Sequence, residues 1–195
     1  MVIDHSFKTI VIGDSMVGKT TMLHQLVDKK FKNTVKITIG IDLISKTFDI
    51  ITTDRIINCR LNIWDVSGLD NYKTIIQPYF NNIDGIIFVF DVNNYKSFKS
   101  IQKWYNIYNI YKKPYNLPKM LIGNKIDNIQ NRKFVYSEII EYAKKMNMVY
   151  IELSSKDYAS IYQTFNTHVY NIYYSKRTKN IKNDRNSDSD GCNIT

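Results

Sequence analysis

No stretch of this 195-residue sequence stays apolar for the roughly 20 residues a helix needs to cross a bilayer. Its longest apolar runs, Gly85 to Phe90 among them, have the length of buried strands, so a soluble body with at most peripheral membrane contact is expected. The start offers no apolar core for a secretory signal, because Met1 to Ser6 leads straight into the strand-like run Phe7 to Ile12. Cysteine is scarce. Cys59 sits in an alternating strand-like segment and Cys192 in a polar tail, contexts that suggest neither a disulfide nor a zinc site and that fit a reducing compartment. His5, His24 and His168 are scattered, with no nucleophile or metal-type spacing beside them. Internal repeats are absent, and so is a concentrated basic stripe. The net charge of +9 is spread along the chain among Asn, Ile and Tyr, so no nucleic-acid partner is expected.

What remains is a chain with 44% hydrophobic residues, enough for one domain with a full core. Apolar runs of strand length alternate with segments of helical period, which predicts βαβ units and a mostly parallel sheet with helices on both faces. Strands are expected near 7–12, 43–51, 56–65, 84–91, 119–124 and 149–153. Helices are expected near 19–29, 71–81, 95–112, 136–147 and 158–175. The turn Thr52-Thr53-Asp54-Arg55 makes 43–51 and 56–65 the one antiparallel hairpin. Phe98, Ile101, Trp104, Tyr105 and Tyr108 recur at helical spacing and read as a core face. After Tyr174 the apolar period stops, and 176–195 is expected to be a disordered tail.

The run Gly13-Asp14-Ser15-Met16-Val17-Gly18-Lys19-Thr20 fits G-x-x-x-x-G-K-[ST] between a strand and a helix. Such a loop turns successive backbone N–H groups toward phosphates at a helix N-terminus, and a glycine at Gly18 permits backbone conformations that side chains forbid. Residues Asp14, Ser15, Met16, Val17, Gly18, Lys19, Thr20 and Thr21 are therefore the candidate phosphate binders. Lys19 supplies charge at the β and γ phosphates, and Thr20 offers its hydroxyl to Mg²⁺. The loop alone leaves the base open, and an adenylate-type kinase or an ATPase fits it equally.

Guanine presents N1–H and a 2-amino group, both donors, so a fixed carboxylate that accepts both selects it over adenine. Asn124-Lys125-Ile126-Asp127, just past an apolar strand, provides one. At this point the chain resembles the Ras-superfamily GTPases, whose N-K-x-D motif places Asp on the guanine edge, Asn on the loop and purine N7, and Lys over the base. Glu152-Leu153-Ser154-Ser155-Lys156 resembles the family's E-x-S-A-K loop, Phe31 falls where the family has an aromatic against the guanine, and Trp64-Asp65-Val66-Ser67-Gly68 resembles W-D-T-A-G. The resemblance implies that Asp65, with Thr20 and Thr38, serves the metal, and that Gly68 and Thr38 reach the γ phosphate. Ile39-Gly40-Ile41-Asp42-Leu43, Arg60-Leu61-Asn62-Ile63-Trp64 and Tyr79-Phe80 look like the I-G-[IV]-D-F, K-L-Q-I-W and Y-Y segments of the Rab branch. The likeness spans residues 6 to about 175, and it implies a P-loop NTPase of the small G-protein fold with a six-stranded sheet. It also implies GTP or GDP as ligand, a role as a switch in vesicle-mediated membrane traffic, and residence on the cytoplasmic side of intracellular membranes with cycling through the cytosol. Exchange factor, GTPase-activating protein and effectors are expected on 31–45 and 65–82 of a monomer.

Two departures stand out. Leu69 occupies the position of the Gln that orients the attacking water, and leucine neither donates nor accepts a hydrogen bond. Even an intact site of this type turns over unaided at only about 10⁻⁴ per second, so Leu69 predicts slower hydrolysis still unless a partner supplies the missing groups. A constitutively GTP-bound effector-binding module is the alternative. Ser67 stands where the family has Ala. At the far end, Cys192-Asn193-Ile194-Thr195 looks like a C-a-a-X prenylation signal with an unusual final residue, and Lys176, Arg177, Lys179, Lys182 and Arg185 offer a second attraction to an anionic leaflet. A P-loop kinase is a further rival, opposed by Asp127 and by the lack of an Arg-rich lid segment.

Overall fold

A computed structural model describes residues 2–31, 38–69, 76–111, 117–132 and 135–189, with the backbone alone at 129–131 and 179–189. Six strands, β1 His5–Ile12, β2 Ile41–Ile51, β3 Ile56–Val66, β4 Gly85–Asp91, β5 Lys119–Asn124 and β6 Val149–Glu152, form one sheet in the order β2-β3-β1-β4-β5-β6. All neighbouring pairs are parallel except β2 with β3. Central β4 and β5 are buried along almost their whole length, as continuous apolar runs covered on both faces must be.

Along β1 the side chains alternate between two cores. Phe7 and Val11 join the cluster containing Met22 and Leu26 of α1 (Lys19–Asp28) and Phe165 and Ile172 of α4 (Tyr158–Ser189). Ile10 and Ile12 face the opposite cluster, built on Phe98, Ile101 and Trp104 of α2 (Tyr95–Tyr111) and Ile139 of α3 (Tyr136–Lys145). The sheet is thus sandwiched between helix layers, and the predicted core stripe of α2 lies on it.

Two expected boundaries differ. Of the helix expected at 71–81, the described part is a short 3₁₀ turn, Gln77–Phe80, opened by Pro78, whose ring suits a first turn and whose missing N–H does not suit a helix interior. Residues 71–75 of that expectation lie outside the described residues. α4 does not stop with its apolar period: it runs on to Ser189, so the boundary expected at 175 is not a helix end. Its last described side-chain tie to the body is Lys176, whose Nζ lies 2.6 Å from the Asp84 carboxylate. No helix among the described residues is long and apolar enough to cross a membrane.

Candidate functional site

The loops that leave the C-terminal ends of β1, β3, β4, β5 and β6 converge at one end of the sheet, where an open α/β fold places its ligand. Between β1 and α1 the chain turns through Gly18, in the left-handed region at φ 96°, with no side chain capping the helix. The first N–H groups of α1 are therefore left facing outward, an arrangement suited to anions. A Cβ on Gly18 would lie 2.3 Å from Asn124 Nδ2, so the phosphate loop and the β5 loop touch where only glycine fits. Lys19, 5% exposed, folds back and donates to the carbonyls of Gly13 (2.8 Å) and Asp14 (2.9 Å). Burial pushes its ammonium down to about 8, against the opposing pull of Asp65 and Asp14.

Three oxygen-bearing side chains from separate segments meet beside it. Thr20 Oγ1 donates to Asp65 Oδ2 at 2.5 Å and lies 2.5 Å from Thr38 Oγ1. Asp65 is fully buried, its Oδ1 has no hydrogen-bond partner, and burial raises its pKa against the Thr20 hydrogen bond and the Lys19 charge. A buried, half-satisfied carboxylate with two hydroxyls is an oxygen-only set that fits a hard ion such as Mg²⁺, which keeps its waters and needs few protein ligands. Among the described residues no group of three or more His, Cys, Asp or Glu is placed to hold a metal ion. Ser67 N–H donates to the Gly40 carbonyl at 2.9 Å, joining the segment after Asp65 to the one after Thr38. A Cβ on Gly68 would sit 2.2 Å from the Ser15 nitrogen, so the backbone there lies directly on the phosphate loop. Leu69 follows, its N–H reaching Ser67 Oγ at 3.4 Å.

The β5 and β6 loops form the other half. Asn124, wholly buried, donates through Nδ2 to the Val17 carbonyl (2.8 Å) and to Ser155 Oγ (2.7 Å), and its Oδ1 accepts from the N–H groups of Lys125 (2.8 Å) and Ser155 (3.0 Å). Lys125, at φ 67°, spans the loop: its Nζ donates to the Met16 carbonyl at 2.7 Å and pairs with Asp91 at 2.9 Å. Asp127 accepts from Ser154 Oγ at 2.6 Å and pairs with Lys156 at 2.8 Å. Those two hydrogen bonds hold its carboxyl below the usual range, so it stays an acceptor. The Lys156 ammonium lies 5.8 Å from the centre of the Phe31 ring.

The loops that carry the nucleotide and metal candidates thus meet at one end of the sheet, while Cys192 and residues 32–37 and 70–75 of the expected partner segments lie outside the described residues. Asp91, at a strand end where an active-site acid could stand and made structural by the family resemblance, is one of the supports, and spacing alone did not give the supports' partners. Asp91 pairs with Lys125, and Asn93 donates to the Lys125 carbonyl at 3.1 Å, so the β4 end holds the base loop. Glu152 is gripped by Arg132 through two contacts of 2.6 and 2.9 Å. The position of Asp91 and Asn93 at a strand end was the available signal.

The family model for the Ras family matches residues 8–174. The chain is 33% identical over 163 residues to the Ypt/Rab-type GTPase avaA of Emericella nidulans, covering 81% of this chain and 78% of that one. It is 38% identical over 165 residues to the Ras-related protein Rab-1 of Theileria annulata (84% and 73% covered), and 32% identical over 164 residues to the GTP-binding protein ypt1 of Schizosaccharomyces pombe (84% and 78%). The chain belongs to the Rab-type small GTPases of the Ras superfamily. For a Rab-type protein the six-stranded sheet with one antiparallel pair is the small G-protein fold, and a guanine nucleotide is the ligand that membership implies.

Proposed function

We propose that this Rab-type GTPase binds GTP or GDP with Mg²⁺ and acts as a slowly turning switch in vesicle-mediated membrane traffic. One observation supports the reading: the loop that carries Asp127 and the loop that carries Lys19 and Thr20 are tied together through Asn124, which donates to the Val17 carbonyl and to Ser155, with Thr38 and Asp65 gathered on Thr20. Asp127 accepts the two guanine donors, with Ser154, Ser155 and Lys156 shaping the base site and Phe31 at its margin. The N–H groups of residues 14–21 and the Lys19 ammonium take the phosphates; once phosphate competes for it, Lys19 exchanges two loop carbonyls for a charged partner. Thr20 and Thr38, with Asp65 behind them, would hold a magnesium ion, whose charge would offset that of the phosphates.

In hydrolysis, water attacks the γ phosphorus in line, the bond to the β–γ bridging oxygen breaks, and GDP and phosphate leave. Leu69 brings only hydrocarbon to the position where that water is oriented, which makes the GTP state long-lived. Thr38 and Gly68 report the γ phosphate to segments 31–45 and 65–82, where exchange factor, activating protein and effectors are assigned. A prenyl group on Cys192, read directly from the mass of the native C-terminal peptide, and the basic residues from Lys176 onward tether the monomer to a cytoplasmic leaflet.

Competition for a fluorescent GDP analogue tests the central claim. GDP and GTP displace it, ADP does not at a hundredfold excess, and Asp127→Ala weakens binding at least a hundredfold. Equal displacement by ADP removes the guanine reading. A permanently GTP-loaded effector module is the second reading, favoured by Leu69 alone.

A further inference from the structure

Trp104 lies 1% exposed on the core face of α2, where helical spacing places it among aliphatic and aromatic neighbours. Its indole nonetheless aims a donor at the phosphate loop: Nε1–H donates to Asp14 Oδ1 at 2.9 Å. Asp14 is the loop's second residue and has two other constraints. Its carbonyl accepts from Lys19 Nζ, and a Cβ on Gly68 would come within 2.3 Å of its carbonyl carbon. The carboxylate is therefore a negative charge carried by the very loop that must receive phosphates, and the indole is what fixes its direction.

We infer that Trp104 is a positioning residue for nucleotide binding, which acts by holding the Asp14 carboxylate toward α2 and away from the phosphates. Without that donor the carboxylate rotates among solvent-accessible directions, some of them toward the bound anion, and the loop loses a tie to the rigid helix layer. Coulomb repulsion in a partly buried site and loss of a hydrogen bond to a charged acceptor act in the same direction, both speeding nucleotide release. α2 also carries Tyr108 and Tyr111 against Phe80, with centroids 6.5 and 5.6 Å apart, so one helix supports both the phosphate loop and the end of the segment 65–82.

The inference rests on the guanine-nucleotide reading, and a double-mutant cycle separates the two. The release rate of a fluorescent GDP analogue is measured for the full chain, Trp104→Phe, Asp14→Ala and the double variant. Trp104→Phe is expected to raise the rate about tenfold in the natural background, from the loss of a charged hydrogen bond, and less than twofold on top of Asp14→Ala. A structural role through packing alone predicts the same fold-change in both backgrounds, and that result overturns the inference. Failure of every form to load the analogue instead condemns the nucleotide reading and this inference with it. Because Trp104→Phe also removes buried volume, a second measurement does not depend on it. The chain has two tryptophans, so its indole N–H spectrum holds two resonances, of Trp104 and Trp64. Asp14→Ala must shift the Trp104 resonance and leave that of Trp64 in place; an unmoved Trp104 resonance denies the contact.

Discussion

On the proposed function, Leu69 separates binding from turnover on a single side chain. On that reading, the groups assigned to phosphates and metal are all present in the Lys19 ammonium, the Thr20 and Thr38 hydroxyls and the Asp65 carboxylate, whereas the position assigned to aiming water carries the hydrocarbon side chain of Leu69, whose N–H reaches Ser67 Oγ. Positioning is most of what such a site contributes to hydrolysis, so Leu69→Gln is expected to speed single-turnover release of phosphate by about tenfold or more without changing GDP affinity. Equal rates in the two proteins would show that Leu69 is not what limits turnover. At this scale the sequence was most readable where chemistry is contiguous: Asn124 to Asp127 and Gly13 to Thr20 are short runs whose order is their geometry. The partners of those residues were not readable. Asp91 reaches Lys125, and Trp104 reaches Asp14, across ninety residues in the second case, and no local spacing encodes such a meeting.

Strands and helices followed their periodicities because burial imposes them. The continuous apolar runs became β4 and β5, and the 3.6-residue stripe of Phe98, Ile101 and Trp104 became the buried face of α2. Periodicity names a face but not the polar atom hidden in it, which is why Trp104 read as core alone. It also does not mark where a helix ends, since the apolar period of α4 stops well before the helix does. Between β1 and α4 there is a second polar contact inside a core: His168 is wholly buried and its Nε2 lies 2.7 Å from Thr9 Oγ1. Burial pushes its pKa from 6.5 down to about 3, so the folded chain keeps it neutral where the unfolded chain protonates it. The unfolded state then binds more protons between these values, and stability falls as pH drops from 6.5 toward 3. Relative to His168→Gln, which keeps a partner for Thr9, the natural protein should lose about 2.5 kcal/mol between pH 7 and pH 4.5. Parallel denaturant melts at the two pH values measure the difference, and equal losses in both proteins would refute the assignment.

As a whole, the molecule divides into a three-layered body, a sheet between helices, and an extension of α4 beyond it. Among the described side chains of α4 the buried ones end at Ile172 and Tyr173, and Lys176 adds a half-exposed ion pair of small value. A chain ending at Thr178 should therefore keep its melting temperature within about 3 °C and its GDP affinity within about twofold, while losing any sedimentation with anionic vesicles that the natural chain shows. Loss of folding on truncation would place part of the core beyond that point. Within the body, the contact of Gly18 with the Asn124 amide has a consequence for how such a protein can change. The base loop and the phosphate loop are cross-pinned through Val17, Gly18 and Ser155, so neither can be reshaped without disturbing the other. Substitutions that retune which base is accepted will also alter the grip on phosphate, whereas exposed positions outside that pinned unit, such as Ile39 and Leu43, are free to diversify while the ligand stays the same.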